Sequence, residues 1–234
     1  MIDTIKVTYE KARNSYSANL LLNKIKQYPV IACDFEVAVK FTDKERKEME
    51  DALLDEELPK LERVRLEAAL KATALDHPSY CTITHLSIAW STSEAAVFIL
   101  DNAAITKLVL NYLVTTEQKQ VWHNLSYDAK HLLWHTGKFP KNYEDTQIFA
   151  KTLINHVETH KAKTGLKELA GHVYGAWGIS SDNFDVKHMY DEHVLLYAAS
   201  DSCATYWLWE EINRQCDELD DRMMNTLLEA INGG

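Results

Sequence analysis

Residues 29–38 read PVIACDFEVA, and the fold is decided here. The first half is continuous, β-branched and apolar, the pattern of a strand buried on both faces near the middle of a sheet. The second half carries Asp34 and Glu36 two residues apart. Alternation along a strand puts both carboxylates on one face and Phe35 on the other. A carboxylate beside packed apolar residues is costly unless it is paired, protonated or bound to a cation. A D-x-E tripeptide alone is common in solvated loops, so it is the position after VIAC that makes this pair a candidate metal platform.

Two more acidic segments follow. Asp128 lies within HNLSYDAKHL (123–132), in the first turn of a helix that follows a short strand, QVWHN (120–124). The helix dipole there helps keep a carboxylate ionised. Asn124 is the expected N-cap and Gly137 the expected C-terminal stop. Tyr197 and Asp201, within YAASD (197–201), are four residues apart and share one helix face. Ala198, Ala199, Ser200, Ser202 and Ala204 around them are small enough for that helix to approach a sheet closely. Each feature has an ordinary explanation, as a helix-start acid or a core tyrosine. Their ordered combination points to metal-ion chemistry.

The remaining chain alternates strands and helices. An amphipathic helix is expected over Ser17–Gln27, ended by Pro29. Strands are expected at TITHLSIAW (82–90) and EAAVFIL (94–100), joined as a hairpin through residues 91–93. NAAITKLVLNYLV (102–114) is helical in pattern, as are residues 146–154, 166–174 and 191–230. This order predicts an α/β fold, a mixed sheet covered by helices, in one domain over 1–234. Residues 41–76 interrupt it, with charges alternating with Met49, Leu53, Leu54, Leu61, Val64 and Leu70. Pro59 marks the start of the second helix of this insertion. It reads as a solvated helical hairpin placed between two strands, or alternatively as a partner-docking arm or a lid.

Composition narrows the function classes. At 46% hydrophobic residues, the chain can build a substantial core. Its four cysteines form no C-x-x-C pair, which fits a reducing compartment and argues against structural zinc. With no secretion signal and no stretch of membrane-spanning length, a soluble cytoplasmic protein is expected. The net charge of −10 argues against holding nucleic acid by bulk positive charge. A local basic track is available in Lys161, Lys163 and Lys167, with Lys130 one turn from Asp128, although ordinary solvated lysines look the same. Phe35, Tyr127, Trp177 and Phe184 are candidates to stack terminal bases. No glycine-rich phosphate loop is present among the 7 glycines, and His156, Glu158 and His160 lack the spacing of a zinc-protease helix.

Taken in order, DFE, HNLSYD and YAASD resemble the three motifs of the DEDD superfamily of 3′–5′ exonucleases. Tyr197 marks the tyrosine subclass, because Leu196 stands where the other subclass has histidine. Within the superfamily the chain is similar to the proofreading exonuclease domain of family A DNA polymerases, phage-type ones above all. The Asn124-x-x-x-Asp128 spacing, EDTQIFAKTL (144–153) and GLKELAGHVYG (165–175) carry that likeness, which spans roughly residues 29–216.

This resemblance implies a ribonuclease H-like fold with a mixed five-stranded sheet. It implies two divalent ions, Mg²⁺ or Mn²⁺, held by Asp34, Glu36, Asp128 and Asp201. The implied reaction is removal of nucleoside 5′-monophosphates from the 3′ end of single-stranded DNA. The implied partner is a DNA polymerase in cis or in trans, in the cytoplasm (of a bacterial host for a phage protein), with no membrane involved. Substrate contacts are expected from Phe35, Asn124, Tyr127, Lys130, Lys161, Lys163 and Lys167. A phenol with pKa near 10 is a poor base at neutral pH, so Tyr197 is expected to orient the attacking water. Ribonuclease D-like trimming of RNA is the alternative, since YAASD resembles that family as well. A non-catalytic nucleic-acid or polymerase-binding module is another, against which the presence of all four acids and the tyrosine counts.

Overall fold

The structure, a computed structural model, describes residues 4–74, 77–153, 164–175 and 189–232. In chain order its elements are β1 (Thr8–Ala12), α1 (Ser15–Ile25), β2 (Val30–Val39), α2 (Asp43–Ala52), α3 (Lys60–Ala74), β3 (Cys81–Ala89) and β4 (Glu94–Ile99). They continue with α4 (Ala103–Thr115), β5 (Lys119–Trp122), α5 (Leu125–Thr136), β6 (Tyr143–Asp145), α6 (Thr146–Leu153), α7 (Leu166–Tyr174) and α8 (Glu192–Asn232). Among the described residues no helix is long and apolar enough to cross a membrane.

The strands form one mixed sheet in the order β1-β4-β3-β2-β5-β6. β2, β3 and β4 run antiparallel to their neighbours within that trio, whereas β1 pairs parallel with β4, and β5 and β6 continue parallel from β2. Six strands replace the expected five. The extra one, β1, is a polar TYEKA segment whose residues alternate between exposed and partly buried up to the buried Ala12, so its sequence lacks the apolar run that marks the interior strands. Its backbone pairs with the edge of β4. The fold is of the ribonuclease H-like type that the sequence motifs imply.

Helices cover both faces. Ile31, Cys33 and Phe35 of β2, with Leu86, Ile88, Phe98 and Trp122, pack against Leu21, Leu22 and Ile25 of α1, Val109 and Leu113 of α4, and Leu125 and Leu132 of α5. The opposite face of the sheet, with Ala32, Val97, Ile99 and Val121, packs against Ala198, Ala199, Cys203 and Ala204 of α8 and Ala170 of α7. The small side chains of α8 are fully buried, which is how this helix comes to lie close on β2, β3 and β4. Alternation therefore puts Asp34 and Glu36 on the α8 side.

Within the expected 41–76 insertion the described residues form a helical hairpin, α2 and α3, between β2 and β3, as the charge pattern predicts. A reciprocal capping box between Thr42 and Glu45 starts α2. Arg63 of α3 donates to the carbonyls of Leu53 and Asp55 at 2.8 and 2.6 Å, which closes the turn. Leu54, Leu61 and Val64 remain exposed.

β2 and β5 lie side by side and parallel, yet the chain leaves β2 toward β3 on one side and leaves β5 toward β6 on the other. A crevice opens where neighbouring parallel strands send their connections apart, and ligands of open α/β sheets bind there. Asp34 lies just past Ala32, the last residue of β2 that pairs with β5.

Close contact between α8 and the sheet is testable. Ala199→Leu should destabilise the protein by about 1–3 kcal/mol through overpacking, read by urea denaturation. A midpoint equal to wild type would show that α8 does not need this approach.

Candidate active site

The site grows from β2 outward. Asp34 and Glu36 pair in register with Ser87 and His85 of β3, and the register slips between Glu36 and Val37, where Thr84 is the extra residue. Bulges of this kind are common next to functional sites because they re-aim side chains. His85 is fully buried, with Nε2 2.8 Å from the Met189 carbonyl and Nδ1 2.9 Å from the Thr84 hydroxyl. Burial lowers its pKa, so the ring is neutral. A carbonyl only accepts, so the proton resides on Nε2. This bond fastens the chain just before α8 to the strand opposite Glu36.

α8 then delivers Tyr197 and Asp201 to the same place. One carboxylate oxygen from each of Asp34, Glu36 and Asp201 lies within 4.8 Å of the others. Asp128, 2% exposed at the start of α5, is not in that 4.8 Å group but lies near enough to act electrostatically on Asp34 and Glu36. Burial raises its pKa well above the carboxylate range, and the Phe35 amide and Lys130 offset this in part. Asp34 is likewise pushed well up, first by burial and then by Glu36, Asp201 and Asp128. Glu36, 9% exposed, is pushed up to about 8, by burial first and by Asp201 next.

Among the described residues, Lys167 is the positive side chain that acts on Asp34 and Glu36, as Lys130 does on Asp128. Lys167 of α7 is 3.8 Å from Asp201 and hydrogen-bonds the Tyr197 hydroxyl. Burial and the neighbouring acids raise the Tyr197 pKa, so the phenol stays protonated and acts as a hydrogen-bond donor or acceptor, not as a base.

The donor set fits a hard divalent cation. Buried polar atoms almost always have partners, yet Glu36 Oε1 and Asp128 Oδ1 are buried with no hydrogen bond. Clustered carboxylates with unused lone pairs are the ligand type of Mg²⁺ and Mn²⁺.

Asn124 departs from its expected role. It sits in the left-handed region at φ 64° and makes no side-chain cap; its Oδ1 instead accepts the Ser126 hydroxyl at 2.9 Å. Asparagine is among the few residues that tolerate this conformation. The cap comes from Asp145 at the end of β6, whose two oxygens accept the Asn124 and Leu125 amides at 3.0 and 2.8 Å. His123 contributes from the end of β5, with Nε2 3.1 Å from the Thr164 carbonyl, which ties down the chain leading to Lys167. Sequence reasoning missed the positioning roles of Asp145, His123 and His85. The acid before Thr146 in EDTQIFAKTL is the one local signal for any of them.

The remaining substrate candidates divide. Phe35 points into the opposite core at 4% exposure, 5.7 Å from the Trp122 ring, so strand alternation removes it from the acid face. Tyr127 is half-buried beside Asp128, with the Lys130 ammonium 4.1 Å from its ring centroid. Lys161, Lys163, Trp177 and Phe184 lie outside the described residues, as do His156, Glu158 and His160.

A family described as 3′–5′ exonuclease matches residues 72–217. This span holds Asp128, Lys167, Tyr197 and Asp201. Asp34 and Glu36 precede it, on the far side of the α2–α3 arm. No curated protein matches the chain. Among solved structures, Escherichia coli RNase D, an exoribonuclease involved in structured RNA processing, is similar with a TM-score of 0.58 and 15% identity, over 91% of this chain and 46% of that one. This chain thus spans about half the length of that protein. Brucella melitensis NrnC bound to pGG gives 0.56 and 18% identity, over 95% and 85%. Trypanosoma brucei RNase D in complex with RNA U12 gives 0.56 and 16%, over 87% and 62%. At these identities the likeness is one of fold.

The acid cluster sets a pH dependence. In metal-free protein Glu36 keeps its proton to about pH 8 when folded and loses it near 4.5 when unfolded. Between those values the unfolded chain binds fewer protons, so stability falls as pH rises, by about 1.4 kcal/mol per unit at most for this one group. Thermal melts in EDTA from pH 5 to 8 should show this decline. Mg²⁺ at a hundred times its Kd should add about 2.7 kcal/mol, roughly 5–10 °C for a chain of this size. Asp34→Asn should abolish that gain. A melting temperature indifferent to both pH and Mg²⁺ would contradict the assignment.

Proposed function

Because the chain belongs to the 3′–5′ exonuclease family, we propose that it hydrolyses the terminal phosphodiester at the 3′ end of single-stranded DNA, releasing nucleoside 5′-monophosphates, as a proofreading activity beside a DNA polymerase. The observation that carries this reading is the convergence of Asp34, Glu36 and Asp201 within 4.8 Å, with Tyr197 one turn before Asp201. Such a site has the hard oxygen ligands that metal-assisted phosphoryl transfer needs.

Asp34, Glu36, Asp128 and Asp201 would hold two ions, Mg²⁺ or Mn²⁺. When bound, such ions neutralise the phosphate, lower the pKa of the attacking water and stabilise the leaving 3′ oxygen. The protein's own residues do the rest. Tyr197, held protonated, orients the water through its hydroxyl. Lys167, shared between Tyr197 and Asp201, faces the phosphate and balances its charge. Asp145 keeps the start of α5 in place and with it Asp128.

A second reading is trimming of RNA, and one observation favours it: similar folds include RNase D solved with RNA U12 and NrnC solved with pGG. Against it stands the resemblance of the Asn124-x-x-x-Asp128 spacing to polymerase proofreading domains.

The test uses 5′-labelled single-stranded DNA and RNA of one sequence, with Mg²⁺ or EDTA. DNA should shorten stepwise from its 3′ end only with metal. Asp34→Ala should be inactive. Tyr197→Phe should keep the Mg²⁺-dependent melting shift and lose about 10²-fold in rate, the scale of a proton-handling or water-positioning group. Preference for RNA would promote the second reading, and no degradation of either strand would overturn both.

A further inference from the structure

The outer edge of α5 carries an exposed tryptophan, Trp134, that the acid site does not use. Tyr127, Lys130 and Trp134 are spaced i, i+3 and i+7, so they lie along one side of the helix. This side adjoins the buried Asp128. Lys130 covers the Tyr127 ring. Trp134 is 58% exposed, a large apolar surface left in water on a helix whose inner face is well packed. Its ring meets His77, at the foot of the α2–α3 arm, edge-on at 5.8 Å. The His77 ring is itself fixed, because its Nδ1 accepts the Ser79 amide at 3.2 Å. Lys40 lies at the same foot and donates to the carbonyls of Pro78 and Ser79 at 3.0 and 3.1 Å. Phe41 and Tyr80 pack there at 5.6 Å, both half-buried.

Aromatic rings interleaved with cations form the surface on which single strands lie without regard to sequence, bases stacking on rings and phosphates meeting ammonium groups. Geometry sets the distance. Seven residues of helix from Tyr127 to Trp134 rise about 10 Å, or about three stacked nucleotides at 3.4 Å each.

We propose that Trp134, backed by His77, is a stacking platform for the substrate strand about three nucleotides upstream of the scissile phosphate, so that the foot of the inserted arm serves as part of the substrate track. This rests on the exonuclease reading above. A strand with its 3′ end at the acids and its body along α5 reaches Trp134 only when it is longer than a dinucleotide. Trp134 acts in binding and positioning, not in the chemical step.

The experiment compares two substrates, a 5′-phosphorylated dinucleotide and a ten-residue single strand, with wild type, Trp134→Ala, Trp134→Phe and His77→Ala. Stacking is worth roughly 1–3 kcal/mol per base. Trp134→Ala should therefore raise KM for the ten-residue strand about tenfold with kcat unchanged, and leave kcat/KM for the dinucleotide as in wild type. Trp134→Phe should restore most of the loss and His77→Ala should show a smaller one. Anisotropy of the labelled ten-residue strand, in EDTA to prevent turnover, should report the same order of affinities. Equal effects of Trp134→Ala on both lengths, or none on either, would overturn the platform. Should wild type cleave neither substrate, the exonuclease reading fails, and the anisotropy series still decides the platform by itself.

Discussion

Charge crowding at one end of β2 is the constraint to which the surrounding structure answers. Two unit charges no more than 4.8 Å apart repel by at least about 3.5 kcal/mol at an effective dielectric of 20, and Asp34, Glu36 and Asp201 would make three such pairs if all were ionised, before Asp128 is counted. A domain is stable by only about 5–15 kcal/mol. A fold that places these acids together without compensation gives up much of its stability. Compensation is visible on every side. The Phe35 amide and Lys130 temper Asp128, Lys167 tempers Asp34 and Glu36, and the carboxyls of Asp34, Glu36 and Asp128 rise in pKa. What remains uncompensated, two buried oxygens without partners, is where a cation belongs.

The machinery that holds this cluster differs in how far it was legible from residues alone. Asp34, Glu36, Tyr197 and Asp201 could be paired because period-two and period-four spacing are local properties. The buried strand, the hairpin of β3 and β4, the inserted α2–α3 arm and the small-residue face of α8 follow from the same local rules. β1 and β6 do not, because a five-residue polar strand and a three-residue strand owe their conformation to the neighbour's backbone. Asn124 illustrates the limit. Its type and position suit an N-cap, and asparagine is equally suited to the left-handed conformation it adopts. Only the pairing of Trp122 with Asp145 across β5 and β6 brings the true capping carboxylate to the helix. Register across strands is a nonlocal fact. His85 was hidden for the same reason, since its partner, the Met189 carbonyl, is 104 residues away in sequence.

The arm at 41–76 separates the first pair of acids from everything else the site uses. The family match begins at residue 72, inside α3, and so starts after β2. Structure repairs the gap, because the arm leaves from the end of β2 and returns at the start of β3, two strands that are adjacent and antiparallel. An insertion between such strands lengthens a hairpin connection without disturbing the sheet, and loop length costs little free energy beyond the first few residues. The acids therefore tolerate an interruption that a linear comparison does not.

α5 links the two regimes. Its buried side holds Asp128 and the core residues Leu125, Ala129 and Leu132, while its outer edge carries Tyr127, Lys130 and Trp134. A helix transmits position faithfully along its axis because each residue is fixed by bonds four positions away. Anchoring at both ends strengthens this: Asp145 accepts amides at the start, and Gly137, at φ 65°, donates its amide to the Leu133 carbonyl at the stop. A side chain such as Trp134 thus has a set distance from the acids even though it lies at the surface. A loop could not supply this, since a loop would surrender the fixed spacing between Asp128 and Trp134 that the helix maintains.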